Sequence, residues 1–152
     1  MVSLQPVTAQ NWRALIKLEL EETQKEFVAS NLYSIAEAQF GYEEEGSWKL
    51  LPFGVYVGET PVGFVMYGLN YGHSRFQAFI ARLMTDKHFQ GKGYGRAAMQ
   101  QVLDVLRQDA AIKVVGISYE PHNEIARKLY ASFGFVEPGE IYDGEVLALL
   151  KL

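Results

Sequence analysis

Hydrophobic positions along the chain change their spacing from one third of the sequence to the next. In the N-terminal third they recur at helical intervals, whereas residues 53–85 form short apolar runs typical of strands. The helical spacing returns over 96–107. The predicted elements are a strand near Leu4, a helix from Trp12 to about Glu19, a helix from about Ile35 to Tyr42, strands at 53–57, 62–67 and 76–85, a helix at 96–107, a strand at 114–119, a helix from Asn123 to Gly134, and a hairpin of strands 135–142 and 145–150 around Asp143-Gly144.

The order of these elements predicts one domain over residues 1–152, with an α/β fold in which helices cover the faces of a mixed sheet. Two local signals refine the N-terminal part. The stretch Ser34-Ile35-Ala36-Glu37 has the form of a capping box and would begin the second helix. Glutamates 43–45 form a charge run before Gly46, which we interpret as a solvated helix end without chemistry.

Composition and charge exclude several classes of protein. The chain is 49% hydrophobic and 21% charged, which is ordinary for a folded domain, and its net charge of −4 lacks the basic excess typical of nucleic-acid or membrane binding. The absence of cysteine excludes disulfides, thiolate zinc sites and a cysteine nucleophile. No apolar stretch reaches the roughly 20 residues of a membrane span, so we expect a soluble, cytoplasmic protein. His73, His88 and His122 lie far apart, and no metal site is predicted.

A glycine-rich turn, Gln90-Gly91-Lys92-Gly93-Tyr94-Gly95-Arg96, lies where the predicted sheet gives way to a helix. Glycine tolerates positive φ and lets a ligand approach the main chain, and the free N–H groups at a helix start attract anions. The turn therefore predicts a phosphate site, with a plain flexible turn as the alternative for these residues taken alone. It lacks the Ser or Thr that follows the lysine of a P-loop, and Arg96 stands where the dinucleotide fingerprint requires glycine.

Two sequence blocks resemble those of the GCN5-related N-acetyltransferase (GNAT) superfamily. The first runs from Arg82-Leu83-Met84-Thr85-Asp86 through the glycine turn to Arg96. The second is Asn123-Glu124-Ile125-Ala126-Arg127-Lys128-Leu129-Tyr130-Ala131-Ser132-Phe133-Gly134-Phe135. The resemblance implies a GNAT-like, three-layer αβα fold with a mostly antiparallel sheet of about six to seven strands and about four helices. It also implies acetyl-coenzyme A as the co-substrate.

The same resemblance implies how the coenzyme would be held. Backbone groups of Leu83 and Met84 would bind the pantetheine, and the N–H groups from Gly91 to Arg96 would bind the pyrophosphate. Side-chain roles follow at five positions: Gln90 would set the turn, Lys92 or Arg96 would add charge near the phosphates, Asn123 would contact the coenzyme arm, and Lys128 would reach the nucleotide end. From the residues alone, a solvated Lys92 and an Asn123 that only caps its helix remain open.

Two side chains are candidates for proton transfer. Tyr130 lies at the edge of the apolar stripe of its helix, so its ring can pack while its hydroxyl stays free, which is also true of an ordinary boundary tyrosine. The family resemblance implies that it protonates the departing thiolate. An aliphatic ammonium has a pKa near roughly 10.4 and must lose a proton before it attacks. Glu120, at the end of the strand before Asn123, is the candidate base, with a surface loop glutamate as the alternative.

The acceptor is indicated by a wider resemblance. The stretches 27–38 and 63–68 and the ending Asp143-Gly144-Glu145-Val146 look like bacterial spermine/spermidine acetyltransferases, a family that acts on polyamines. Carboxylates and aromatic faces suit a polycation, and Glu26, Tyr33 and Glu37 are the candidate acceptor residues, with a solvated helix face as the alternative for the glutamates. Alternatives are acetylation of a protein or another small amine, or an acyl-coenzyme A sensor without turnover. A homodimer is compatible with the family, although no interface is legible in the sequence.

Overall fold

In the computed structural model, which describes residues 1–152, eight strands form one sheet and helices cover both of its faces. The strands are β1 (Val2–Pro6), β2 (Tyr42–Glu43), β3 (Ser47–Val57), β4 (Thr60–Leu69), β5 (Ala78–Thr85), β6 (Val114–Tyr119), β7 (Ile141–Tyr142) and β8 (Glu145–Lys151). The α-helices are α1 (Trp12–Leu15), α2 (Asn31–Phe40), α3 (Tyr94–Arg107) and α4 (Glu124–Ser132), and a 3-10 helix spans Glu22–Phe27.

The sheet has the order β1-β3-β4-β5-β6-β8-β7, with β2 paired to β3. Every pairing is antiparallel except the one between β5 and β6. The long chain segment between those two strands contains α3, as a parallel connection requires. The predicted fold class, a mixed and mostly antiparallel sheet flanked by four α-helices, is confirmed, with eight strands instead of six to seven.

Different helices cover the two faces of the sheet. On one face, buried side chains of α3 and α4 pack against alternate residues of β5, β6 and β8 in the largest core cluster. On the other face, two smaller clusters share Tyr42 and Ala81, and residues of α2 and the segment before it pack against the one that contains Leu50 and Phe64. Because helices lie on both faces, the central strands are buried on both sides and carry nearly continuous apolar runs. None of the helices combines the length and the apolar character that a membrane span requires.

The N-terminal helices differ from their predicted bounds. The helix predicted from Trp12 to Glu19 ends after one turn, at Leu15. The capping box predicted at Ser34 is wrong, because α2 begins one turn earlier and Ser30 caps it by accepting a hydrogen bond from the Tyr33 N–H at 3.1 Å. Ser34 is instead a fully buried residue inside the helix. A serine hydroxyl can also bond inside a helix, so its presence alone does not fix the start.

The glutamate run 43–45 is not a helix end, as α2 ends at Phe40 and Tyr42–Glu43 form β2. Glu43 accepts a hydrogen bond from the Ser47 hydroxyl at 2.5 Å, and Glu44 accepts one from the Tyr142 hydroxyl. The run therefore stabilises the β2–β3 turn through a hydrogen bond within the hairpin and another to β7. The predicted strand 135–142 is also shorter than expected: only Ile141–Tyr142 pair as a strand, around a turn in which both Asp143 and Gly144 have positive φ.

Candidate active site

An irregularity in β5 begins the site. In the pairing of β4 with β5, Met66 lies opposite Arg82 and Tyr67 opposite Ile80, which leaves Ala81 as an unpaired bulge. The extra residue changes the alternation of side chains, so Ala81 and Arg82 both face α2. Bulges commonly redirect side chains beside functional sites.

Beyond the bulge, β5 and β6 separate. Their parallel pairing covers only Ala78–Ile80 and Val115–Ile117, while β5 runs on to Thr85 and β6 to Tyr119. A cavity of about 610 Å³ opens between the diverging ends. Its walls come from the ends of both strands, the 3-10 helix, the glycine turn, α4 and the start of β8. The cavity therefore passes from the α3–α4 side of the sheet toward the α2 side.

The glycine turn forms one end of this cavity. Gly91 and Gly93 have φ values of 77° and 83°, and a Cβ atom built on either would meet no protein atom within 4 Å. Gly95 differs, since its Cβ would lie 3.3 Å from the Thr85 hydroxyl. The first two glycines therefore supply conformation and open space above the main chain, and the third lets α3 approach β5.

The main chain of the turn has unused hydrogen-bond donors. None of the N–H groups from Gly91 to Arg96 donates to a protein oxygen. They precede or begin α3, a helix of 14 residues whose N-terminal end carries partial positive charge. Six consecutive free donors beside an open cavity fit the phosphate oxygens of a coenzyme.

Gln90 holds the turn against its neighbours. Its side-chain amide donates to the Thr85 carbonyl at 3.0 Å and exchanges hydrogen bonds with Gln24, at 2.9 Å and 3.3 Å. The first bond ties the turn to the end of β5. The other two fasten the 3-10 helix across the same end of the cavity.

Most of the sequence-predicted coenzyme residues line the cavity. Those in its walls are Leu83, Met84, Gln90, Gly91, Gly93, Tyr94, Gly95 and Asn123. Three cationic candidates do not line it: the Lys92 ammonium lies 6.0 Å from the centre of the Phe89 ring, the Arg96 guanidinium lies 5.3 Å from that of Phe133, and Lys128 is exposed on α4. The structure thus brings the main-chain candidates together and leaves the lysine and arginine side chains outside the walls.

Asn123 combines two features. Its side-chain oxygen accepts a hydrogen bond from the Ala126 N–H at 3.2 Å, so it caps α4 as predicted. The same residue lines the cavity. The helix cap and the contact with the coenzyme arm, the two roles considered for Asn123, are therefore compatible.

Tyr130 extends from α4 to the gap between the strands. Its side chain is buried against Tyr119 and Phe135, with ring centres 5.5 Å and 6.2 Å away. Its hydroxyl has no hydrogen-bond partner in the protein. Every side-chain N or O atom that is fully buried does have a partner, so the Tyr130 hydroxyl is not fully enclosed. Since Tyr130 lines the cavity, its hydroxyl is open to it. Burial, and then the nearby charge of Glu145, raises the pKa of Tyr130, so the hydroxyl stays protonated at neutral pH.

The neighbouring Tyr119 also lines the cavity, but its hydroxyl is already engaged. It donates to Glu137, a carboxylate that is also held by Arg127 at 2.8 Å. Burial and this hydrogen bond raise the pKa of Tyr119 to about 12. Of these two tyrosines, only Tyr130 therefore has a hydroxyl that donates no hydrogen bond within the protein.

Near the end of β6, the carboxylate that lines the cavity is that of Glu145 and not that of Glu120, the predicted base. Glu120 lies just past the end of β6, where its carbonyl accepts a hydrogen bond from the Asn123 N–H, and it does not line the cavity. Glu145, the first residue of β8, lines it, and the Ser118 hydroxyl donates to its Oε1 at 2.8 Å. In the sequence, the only feature that could have pointed to Glu145 is its position as a carboxylate at the start of the apolar strand 145–150.

The three acceptor candidates occupy different places. Glu26, on the 3-10 helix, lines the cavity. Glu37 is paired with Arg82 at 3.3 Å, and the Arg82 guanidinium lies 6.0 Å from the centre of the Tyr33 ring. Arg82 also donates to the Ser34 hydroxyl at 3.1 Å and lines the cavity itself. Glu37 and Tyr33 thus reach the cavity only through Arg82.

A family model and several relatives match this chain. The model described as "Acetyltransferase (GNAT) family" matches residues 12–135. The chain is 28% identical to a protein named "Probable spermine N(1)-acetyltransferase" from Bacillus subtilis subsp. natto, over 99% of both chains. It is 27% identical to the spermine/spermidine N(1)-acetyltransferase of Bacillus subtilis strain 168, again over 99% of both.

Solved structures share the fold at low identity. An aminoglycoside acetyltransferase in complex with coenzyme A has a TM-score of 0.76 and 16% identity, covering 99% of this chain and 95% of that one. The match to the family model spans the cavity walls from the 3-10 helix to α4, including the glycine turn and Tyr130. The chain therefore belongs to the GNAT family of acetyltransferases and is an N-acetyltransferase that uses acetyl-coenzyme A as its acetyl donor.

Proposed function

We propose that this enzyme acetylates a primary amine of a polyamine such as spermidine or spermine, by direct attack of the amine on acetyl-coenzyme A in a ternary complex. The observation that carries the proposal is that one cavity contains groups suited to both substrates. This cavity has free main-chain donors at one end and carboxylates, Glu26 and Glu145, in its walls.

The wall chemistry suits a polyamine. Apart from these carboxylates and a few other polar groups, the lining is mostly apolar, with Phe27, Val28 and Leu20 beside Glu26. A polyamine alternates ammonium groups with methylene stretches, so it needs both kinds of surface. The two Bacillus relatives with spermine in their names support the same acceptor class.

The donor half of the reaction uses the turn and β5. We infer that the N–H groups from Gly91 to Arg96 bind the pyrophosphate, and that main-chain groups of Leu83 and Met84 in the cavity wall bind the pantetheine arm. Gln90 keeps the turn in place through Thr85. Binding both substrates in one cavity places amine and thioester side by side, which removes the entropy cost of a bimolecular encounter.

Proton transfer completes the mechanism. The Tyr130 hydroxyl, protonated and free of protein partners, donates its proton to the sulfur as the C–S bond breaks. Direct attack needs no covalent acyl-enzyme. The chain has no cysteine to form one.

A panel of amines tests the acceptor. Thiol release from acetyl-coenzyme A should have a kcat/KM at least about tenfold higher with spermidine or spermine than with a lysine peptide or an aminoglycoside. A lysine side chain has one ammonium group for the two wall carboxylates, and the hydroxylated rings of an aminoglycoside do not match the apolar part of the lining as methylene stretches do. Equal rates across the panel would refute the polyamine acceptor while leaving the acetyltransferase intact. Binding of acetyl-coenzyme A without release by any amine would indicate a sensor.

The Glu26→Gln variant tests the site of the acceptor. It should raise the KM for spermidine by about tenfold, since one hydrogen bond between charged groups contributes about 1.5 kcal/mol or more, and leave the KM for acetyl-coenzyme A unchanged. Glu22→Gln is the matched control: Glu22 is exposed on the same 3-10 helix, pairs with Lys25 at 2.7 Å and does not line the cavity. Equal effects of both variants would place the polyamine elsewhere.

A further inference from the structure

The amine that attacks the thioester must first lose a proton, and the groups around the cavity differ in their ability to accept it. Among the carboxylates, Glu37 is committed to Arg82 and Glu137 to Tyr119 and Arg127. Glu26 is exposed on the 3-10 helix. Glu145 is half-buried, lines the cavity and is held in place by one hydrogen bond.

Sheet geometry explains the position of Glu145. In the antiparallel pairing of β6 with β8, Ser118 lies opposite Leu147, so the side chains of Ser118 and Glu145 are diagonal neighbours on one face. The Ser118 hydroxyl donates to Oε1, which fixes the orientation of the carboxylate. Oε2 has no hydrogen-bond donor in the protein. One oxygen is thus anchored and the other is available.

Glu145 and Tyr130 lie on the two sides of the strand gap. Tyr130 belongs to the core cluster on the α3–α4 face, whereas Leu147, two residues after Glu145, belongs to a cluster on the opposite face. Both residues line the cavity, and the charge of Glu145 is one cause of the raised pKa of Tyr130. A thioester in the gap would therefore have a proton donor on one side and a carboxylate on the other.

We propose that Glu145 is the general base of the reaction, and that it takes a proton from the acceptor ammonium. The neutral nitrogen then attacks the thioester carbonyl carbon, the C–N bond forms, the C–S bond breaks and the sulfur takes the Tyr130 proton. The second proton leaving the nitrogen restores Tyr130, and the proton on Glu145 passes to solvent. The proposal rests on direct attack by an amine, as proposed above, and holds whichever amine is the acceptor.

The surroundings of Glu145 make its carboxylate a stronger base than an ordinary solvated glutamate. Burial is the largest effect and raises the pKa of the Glu145 carboxyl, whereas the hydrogen bond from Ser118 lowers it. The negative charges of Glu120 and Asp143 also raise this pKa, and the positive charge of Arg82 lowers it. The net result is a raised pKa. A base with a raised pKa accepts a proton more readily from an ammonium. The titratable or charged groups around it are Arg82 on β5, Glu120 after β6, Tyr130 on α4 and Asp143 in the turn before β8.

The experiment compares Glu145→Gln with Glu120→Gln, using the amine that the wild type acetylates fastest. Glu145→Gln should lower kcat by about 10²-fold or more at pH 7, the usual contribution of acid–base catalysis, with acetyl-coenzyme A affinity unchanged. The rate of Glu145→Gln should then rise as the pH approaches the pKa of the amine, near roughly 10.4, because more of the amine is already deprotonated. The difference in rate from wild type should narrow over the same pH range. Glu120→Gln should keep kcat at pH 7 within about threefold of wild type, since Glu120 does not line the cavity. Because the charge of Glu120 raises the pKa of Glu145, this variant should also move the acidic limb of the kcat/KM profile to lower pH.

Ser118→Ala gives an independent test that keeps the carboxylate. Because the Ser118 hydroxyl stabilises the charged form of Glu145, its removal should move the acidic limb of the kcat/KM profile to higher pH. A purely structural role would lower the rate equally at all pH values. Wild-type activity in Glu145→Gln, an unmoved acidic limb in Ser118→Ala, or the same kcat loss in Glu120→Gln would overturn the proposal. Failure of every amine in the wild type would instead refute the direct attack itself.

Discussion

Gly93→Val should weaken acetyl-coenzyme A binding by at least about 100-fold, because a side chain there would occupy the space above the free N–H groups of the turn. A hydrogen bond to a charged group contributes about 1.5 kcal/mol or more, so losing two would produce a change of this size. Isothermal titration of the purified variant with acetyl-coenzyme A measures it. Normal affinity would show that the phosphates bind elsewhere.

The control for this variant is Gly139→Val. Gly139 has a φ of 89°, close to the 83° of Gly93, and a Cβ on either residue would meet no protein atom within 4 Å. Both variants place a β-branched residue at positive φ, so both should lose stability by a similar amount, about 1–3 kcal/mol. Gly139 does not line the cavity, and only Gly93→Val should lose coenzyme binding. Similar losses of binding in both would attribute the effect to backbone strain.

Tyr130→Phe should lower kcat by about 10²-fold or more while leaving the affinity for acetyl-coenzyme A little changed. The substitution removes only the hydroxyl, which has no protein partner to leave unpaired, so the packing against Tyr119 and Phe135 should persist. Stopped-flow or steady-state thiol release with a saturating amine measures the change. An unchanged kcat would remove the proton-donating role.

Tyr119→Phe is the matched control for that loss. Tyr119 lines the same cavity and packs on Tyr130, but its hydroxyl donates to Glu137. Its removal should cost about 1 kcal/mol of stability through the lost hydrogen bond, with kcat within about threefold of wild type. A kcat loss as large as that of Tyr130→Phe would show that removing either hydroxyl from the aromatic wall impairs the reaction, and would contradict a specific role for the Tyr130 proton.

The donor side of the site could be predicted from the sequence because its determinants are local. The glycines of the turn and the cap at Asn123 act within a few residues of their own positions, and the structure contains both features where they were predicted. The bounds of β6, Val114–Tyr119, also agree with the apolar run that predicted them. Short-range conformational preferences decide such elements.

The acceptor side could not be predicted in the same way because it depends on pairing between distant strands. The bulge at Ala81, which sends Arg82 toward α2, appears only when β5 is aligned with β4. Glu145 reaches the cavity because β8 pairs with β6 and because β6 leaves β5 after Ile117. Glu120 and Glu145 are both carboxylates at strand ends, and only the tertiary structure distinguishes them.

The most direct test of the whole account is a crystal structure of the enzyme with coenzyme A and spermine. We expect pyrophosphate oxygens within about 3.2 Å of N–H groups between Gly91 and Arg96, the sulfur beside the Tyr130 hydroxyl, and a spermine amine beside Glu145. A pyrophosphate bound away from the glycine turn, or a sulfur remote from Tyr130, would contradict the account.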